Sequence, residues 1–99
     1  MDVVIQAVNF DATEKLKDFA NKKVLKLEKM SDIIVDAEVV LKVVKPETAN
    51  NKEASIKLNV KGSELFASKV ADSFEEAVVE SVDALERQLQ KIKEKNQNY

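Results

Sequence analysis

The chain has 99 residues, a formal net charge of −2, no Cys, no His, one Gly and one Pro. Without Cys there can be no disulfide, zinc–thiolate site or thiol nucleophile. The missing His removes the commonest general base and metal ligand, and a lone Gly leaves no Gly-rich phosphate loop. This length allows one domain at most, over residues 1–99. It is enough for a modest core without staples, since a chain of this size buries roughly two-thirds of its unfolded surface. No apolar run approaches the ~18 residues of a membrane span, and the N-terminus has no basic stretch followed by an apolar one, so the default is a cytosolic protein with no membrane contact.

Val3 to Val8 is short, β-branched and apolar apart from Gln6. It reads as a strand buried on both faces. Asp11-Ala12-Thr13-Glu14 has the form of a capping box, with Asp11 as N-cap and Glu14 reaching back, so a first helix is expected from about Ala12 to Lys29. Leu16, Phe19, Ala20, Val24 and Leu27 form its apolar stripe. At ~100° per residue, Lys15, Lys22, Lys26 and Lys29 share the opposite side, whereas Lys23 falls within the stripe and Leu25 opposite it.

From Ile33 to Val44 the period changes to two. Val35, Ala37, Val39, Leu41 and Val43 point one way; Asp36, Glu38 and Lys42 point the other. Pro46 to Asn51 reads as a loop. Ala54, Ile56, Leu58 and Val60 alternate with Ser55, Lys57, Asn59 and Lys61 in a third strand, and Lys61-Gly62 signals a hairpin. A fourth strand covers Glu64 to Val70, its facing left open by the adjacent Leu65 and Phe66.

The longest periodic segment runs from Asp72 to Lys95, with Phe74, Val78, Val82, Leu85, Leu89 and Ile92 on one side of a helix. Asp72-x-x-Glu75 and Ser73-x-x-Glu76 are overlapping capping boxes that do not decide between themselves. Residues 96–99 should fray. The order β-α-β-β-β-α favours parallel pairing across the helical crossover and antiparallel pairing across the short loops. That makes an α+β fold: a four-stranded mixed sheet with two helices packed on one face.

The charges are sorted in blocks. Asp72, Glu75, Glu76, Glu80 and Asp83 crowd the first half of the last helix; Arg87, Lys91, Lys93 and Lys95 dominate the second. Arg87, Lys91 and Lys95 are four residues apart and form one stripe. Together with the lysines of the first helix they could grip RNA phosphates. The plainer reading is that acids early and bases late in a helix suit its macrodipole at about 0.3–1 kcal/mol each. Lys23 could snorkel past its apolar neighbours or pair with an acid. Leu25 and Val79 are either single exposed apolar residues or seeds of a dimer. The carboxylate pairs look like surface acids, so neither catalysis nor a cofactor is expected.

Three stretches carry a family resemblance. Lys23-Val24-Leu25-Lys26-Leu27-Glu28, Val39-Val40-Leu41-Lys42-Val43-Val44-Lys45 and, most specifically, Leu85-Glu86-Arg87-Gln88-Leu89-Gln90-Lys91-Ile92-Lys93-Glu94-Lys95 resemble motifs of the ribosome hibernation promoting factor and ribosome-associated inhibitor family. This family is also called ribosomal subunit interface or sigma-54 modulation proteins. Val60-Lys61-Gly62 with Leu65 and Ala67 fits it too. Glu75 stands where Tyr is common, Val79 where Asp is common, and Ile92 replaces a frequent His, so the helix entry is more acidic than usual while its basic end is intact.

The resemblance implies a short-form, non-enzymatic inhibitor of translation. It would bind the small ribosomal subunit and its rRNA and occlude the mRNA and tRNA path during dormancy or stress. It would use no cofactor, metal or small-molecule substrate, and would be monomeric off the ribosome. The implied RNA-binding residues are Lys22, Lys23, Lys26, Arg87, Lys91, Lys93 and Lys95. The competing expectation is a small α+β protein–protein interaction module with no RNA role, whose helix charges serve only stability and solubility.

Overall fold

The computed structural model describes residues 1–44 and 50–97; of residues 93–97 only the helical backbone is described. In chain order come β1 (Asp2–Val8), α1 (Glu14–Leu25), a 3-10 turn (Lys26–Lys29), β2 (Ile34–Val43), β3 (Lys52–Val60), β4 (Ser63–Ala71) and α2 (Phe74–Gln97). The sheet order is β1-β2-β3-β4. β1 pairs with β2 in parallel, and β2–β3 and β3–β4 are antiparallel. The expected α+β fold, a mixed sheet with both helices on one face, is the observed one.

The core lies between the helices and that face. Ala37, Val39 and Leu41 of β2 and Ala54, Ile56 and Leu58 of β3 are fully buried beneath Ala20, Val24, Val78 and Leu85 of the helices. Each large aliphatic side chain placed there contributes about 1.5–3 kcal/mol relative to exposure. Ser81 is the buried polar residue of α2. Its hydroxyl donates to the Ala54 carbonyl at 3.0 Å, so it costs no unpaired group and ties the helix to β3.

Four expectations are corrected. β1 is not buried on both faces: it is an edge strand whose outward Val4 and Val8 are exposed, because both helices lie on the other side of the sheet. Val35 does not join Ala37 and Val39 in the core. The β2–β3 register shifts between Ile34 and Asp36, and this irregularity turns Val35 to solvent. The α1 N-cap is Thr13, not Asp11. Thr13 Oγ1 accepts from the Leu16 N–H at 3.1 Å, and the chain stays non-helical through Phe10, which stacks on Phe74 with ring centroids 4.4 Å apart. Finally, α1 does not continue as α-helix to Lys29. Its last turn tightens into the 3-10 turn, which keeps Leu27 fully buried, as Val24 is in the turn before it.

Two open questions resolve. In β4 Leu65 packs against the core and Phe66 faces solvent. At the start of α2 Ser73 is the cap: its Oγ accepts from the Glu76 N–H at 3.1 Å. Asp72 instead accepts the Asn50 N–H at 2.8 Å, holding the chain beside β3. Gly62 takes φ of +81° in the expected β3–β4 turn. Leu25 and Val79 are half-buried. The rest of the Pro46–Asn51 loop, apart from Asn50 and Asn51, and the end of the expected fraying tail at Asn98 and Tyr99 lie outside the described residues. Asn96 and Gln97 remain helical.

Candidate nucleic-acid interface

Strand direction decides how the helices sit. β1, β2 and β4 all run the same way, with β3 opposed. Each helix follows one of these like-directed strands and runs back over the sheet, so α1 and α2 are parallel. The Phe10–Phe74 stack joins their N-terminal ends. At the other end Met30, just past the 3-10 turn, shares a shallow groove of about 560 Å³ with Asp83, Glu86, Arg87, Gln90 and Lys91 of α2. Topology thereby gathers the two basic helix ends, far apart in sequence, at one end of the molecule.

Lys22 and Lys26 are exposed on α1 and the 3-10 turn, and Arg87 and Lys91 are exposed on α2. None of the four has an ion-pair partner within 4 Å among the described residues; the nearby lysine that does, Lys17, pairs with Glu14 at 3.7 Å near the N-terminal end of α1. Arg87 and Lys91 line one groove, one helical turn apart. Lys22 and Lys26 flank that end without entering the groove. Lys23 snorkels: its stem is half-buried, and its Nζ lies 5.5 Å from the centre of the Phe19 ring, a cation–π contact one turn back along α1. That contact offsets the apolar setting and leaves the ammonium at the surface edge. The side chains of Lys93 and Lys95 lie outside the described residues.

The groove is not uniformly basic, since Asp83 and Glu86 share it with Arg87 and Lys91. Its charge is segregated along the helix, acids at Asp83 and Glu86 followed by bases at Arg87 and Lys91, so only its C-terminal part suits contact with an anion.

Two contributors escaped the sequence reading. Lys69 on β4 lines a second recess of about 330 Å³ with Glu80, Asp83 and Arg87. Strand parity was the available signal: Leu65, Ala67, Lys69 and Ala71 alternate toward the helix side, so a Lys there must emerge beside α2. Gln88 is the other. Its Nε2 donates to the Phe66 carbonyl on the edge strand β4 at 3.0 Å, which fixes the roll of α2 on the sheet and so the direction of its neighbour Arg87.

A small α+β sandwich with a polarised pair of parallel helices, basic at one end, is a surface suited to binding rather than to turnover. Residues 3–97 match the family described as "Sigma 54 modulation protein / S30EA ribosomal protein", and the chain belongs to that family. It is 37% identical over 95 residues to the ribosome hibernation promoting factor of Escherichia coli K12, covering 96% of each chain. It is 30% identical over 98 residues to that of Pseudomonas putida, covering 99% of this chain and 92% of the relative. Among solved structures, a ribosomal subunit interface protein from Coxiella burnetii superposes with a TM-score of 0.83 at 22% identity, over 94% of this chain and 98% of the other. The N-terminal domain of Thermus thermophilus Protein Y does so with a TM-score of 0.79 at 22% identity, over 93% and 99%. At that identity the two structures speak for the fold.

Proposed function

We propose that the chain is a ribosome-associated hibernation factor of the cytoplasm that binds the small ribosomal subunit and occludes its mRNA and tRNA path. Its 99 residues would act as one ribosome-binding unit, monomeric off the ribosome, and by occupation of space rather than by catalysis. Membership of the family and the names of the relatives support a ribosomal role. The observation that carries the RNA contact is the pair Arg87 and Lys91: exposed, without an ion-pair partner among the described residues, and gathered with the Lys22–Lys26 end by the parallel helices. Folded RNA is recognised largely through shape and phosphate contacts, so such a surface needs no base-reading aromatics. By its place in the sequence Lys95 continues the Arg87–Lys91 stripe, and Lys93 adds a further charge at the same end of the helix.

The test is co-sedimentation with purified small subunits at low and high salt, beside the triple variant Arg87→Glu/Lys91→Glu/Lys95→Glu. Wild type should pellet with the subunits at low salt and release at high salt, and the variant should remain in the supernatant. Absence of wild-type co-sedimentation at any salt would sink the reading and leave the competing one, an interaction module without an RNA role. Full retention of the variant would move the contact off α2.

A further inference from the structure

Helices cover one face of the sheet, and no element among the described residues covers the other. Strand register places Asp2, Val4, Gln6 and Val8 of β1 on it, beside Asp36, Glu38, Val40 and Lys42 of β2. Asn59, Lys57, Ser55 and Glu53 of β3 follow, then Glu64, Phe66, Ser68 and Val70 of β4. Two features stand out. Its apolar residues are open to solvent: Phe66 is 57% exposed and Val4 54%. They border a recess of about 260 Å³ with Val40 on its floor. Its charge is also lopsided: Asp2, Asp36, Glu38, Glu53 and Glu64 stand against Lys42 and Lys57, a formal excess of three negative charges.

Much of the polar complement is already engaged. Lys57 Nζ lies 3.0 Å from Glu38 Oε2 and 3.8 Å from Glu64 Oε2. Asn59 Nδ2 donates to Asp36 Oδ1. The Ser68 hydroxyl donates to Glu53 Oε1 at 3.0 Å. The face is therefore a pre-ordered acidic frame around an apolar centre. That chemistry repels phosphate, so this is not a second RNA surface.

Area and charge together select the occupant. Four strands about 4.8 Å apart, with outward residues about 6.8 Å apart, make a patch of roughly 400 Å². A stable protein pair buries about 800 Å² per partner. Two copies face to face would also set acid against acid. We propose that the sheet face opposite the helices docks a basic, apolar-bearing polypeptide segment of another protein, which seats an aliphatic or aromatic side chain beside Phe66 and Val4 while its Lys or Arg residues meet the acidic frame. The molecule is then two-sided: RNA at the helix ends, protein on the sheet. The docking does not depend on the ribosomal role.

The probe is a short synthetic peptide alternating Lys with Leu and Phe, titrated into the 15N-labelled protein, with a Glu-for-Lys peptide as control. Binding should shift amides of β1 to β4 around Val4, Val40, Lys57 and Phe66, weaken with salt, and fall about tenfold or more in Phe66→Ala. Phe66 is solvent-facing, so that variant should keep the wild-type circular dichroism and melting curve. Glu64→Gln, a second variant with the apolar centre intact, should weaken binding by a smaller factor. Arg87→Ala/Lys91→Ala should bind the peptide as wild type does, which separates failure of this proposal from failure of the ribosomal one. The proposal is overturned by shifts confined to α1 and α2, by equal affinity for the acidic peptide, or by no binding at about 1 mM peptide. It is equally overturned by a dimer in sedimentation equilibrium that Phe66→Ala dissolves, which would make a second copy the occupant.

Discussion

Replacing Arg87 and Lys91 together by Ala should change not only affinity for the small subunit but its dependence on salt. Both side chains are exposed, share one groove and lack a competing ion pair among the described residues, so each is free to meet a phosphate. Each phosphate neutralised contributes about 0.7–0.9 to the slope of log K against log salt, so losing two should flatten that slope by roughly 1.4–1.8. Across a fourfold rise in monovalent salt, from about 50 to 200 mM, the advantage of wild type over variant should shrink by roughly sevenfold to twelvefold. The measurement is filter or sedimentation binding to small subunits at fixed magnesium over that range. Lys17→Ala is the internal control: Lys17 sits near the other end of α1 and already pairs with Glu14, so its slope should match wild type. Two parallel lines, variant merely weaker than wild type, would refute phosphate contact by this pair. An equal loss of slope in Lys17→Ala would make the effect one of net charge rather than of a site.

Leu85, fully buried in α2, should cost about 2–5 kcal/mol on change to Ala in urea unfolding; a loss below about 1 kcal/mol would mean that α2 is not seated as described. Thr13→Ala should cost about 0.5–2 kcal/mol while Asp11→Ala stays within about 0.5 kcal/mol, and the reverse order would restore Asp11 as the cap. Lys57 is held above its ordinary value of 10.5, chiefly by its hydrogen bond to Glu38 and then by the charges of Glu38 and Glu64. The stabilisation is fully present below the ordinary lysine value and is lost as pH rises through the raised one. Lys57→Met should therefore show a shallower loss of unfolding free energy than wild type on the alkaline side of about pH 10, and identical slopes there would refute the coupling.

How far the fold was legible depended on whether local pattern or tertiary geometry decided each point. β3 was fully legible, because Ala54, Ile56, Leu58 and Val60 alternate without interruption and the observed burial repeats that alternation. β2 was legible except at Val35, since a register shift inserts a residue and a period of two cannot show where. The facing of β1 failed for a different reason. An apolar strand reads the same whether one or two layers cover it, and the number of layers is not a property of the strand. The caps turned on competing short oxygens. Asp11 and Thr13 are equally able to accept an N–H, and the observed helix begins late enough that the Leu16 N–H goes to Thr13. At the candidate site, four-residue spacing put Arg87 and Lys91 on one stripe and the family resemblance marked that stripe as a site, whereas Lys69 and Gln88 depend on how α2 lies against β4, a relation that no window of sequence contains.

The alternation of acidic and basic blocks along the chain takes its meaning from that same relation. Only α2 runs cleanly from acid to base, Asp72 to Asp83 preceding Arg87 and Lys91; α1 begins mixed, with Glu14 and Asp18 beside Lys15 and Lys17, and turns basic at Lys22, Lys23, Lys26 and Lys29 against Glu28. Had the helices been antiparallel, the blocks would have met opposite signs and cancelled across the interface. Three strands between the two helices return the chain to the same direction, so like ends coincide and the blocks add. The macrodipoles add with them, and late lysines complement both negative ends at once. The plain stabilising role of these charges and the proposed RNA role are therefore not rivals for the same residues. Matching the dipole accounts for the late bases of each helix; the parallel arrangement accounts for how, in the proposed role, two such helices would present one basic end to a phosphate surface. Inverting one helix's charge order while keeping its composition should leave the fold intact and abolish subunit binding, and retention of binding by such a variant would show that polarity is not what the ribosome reads.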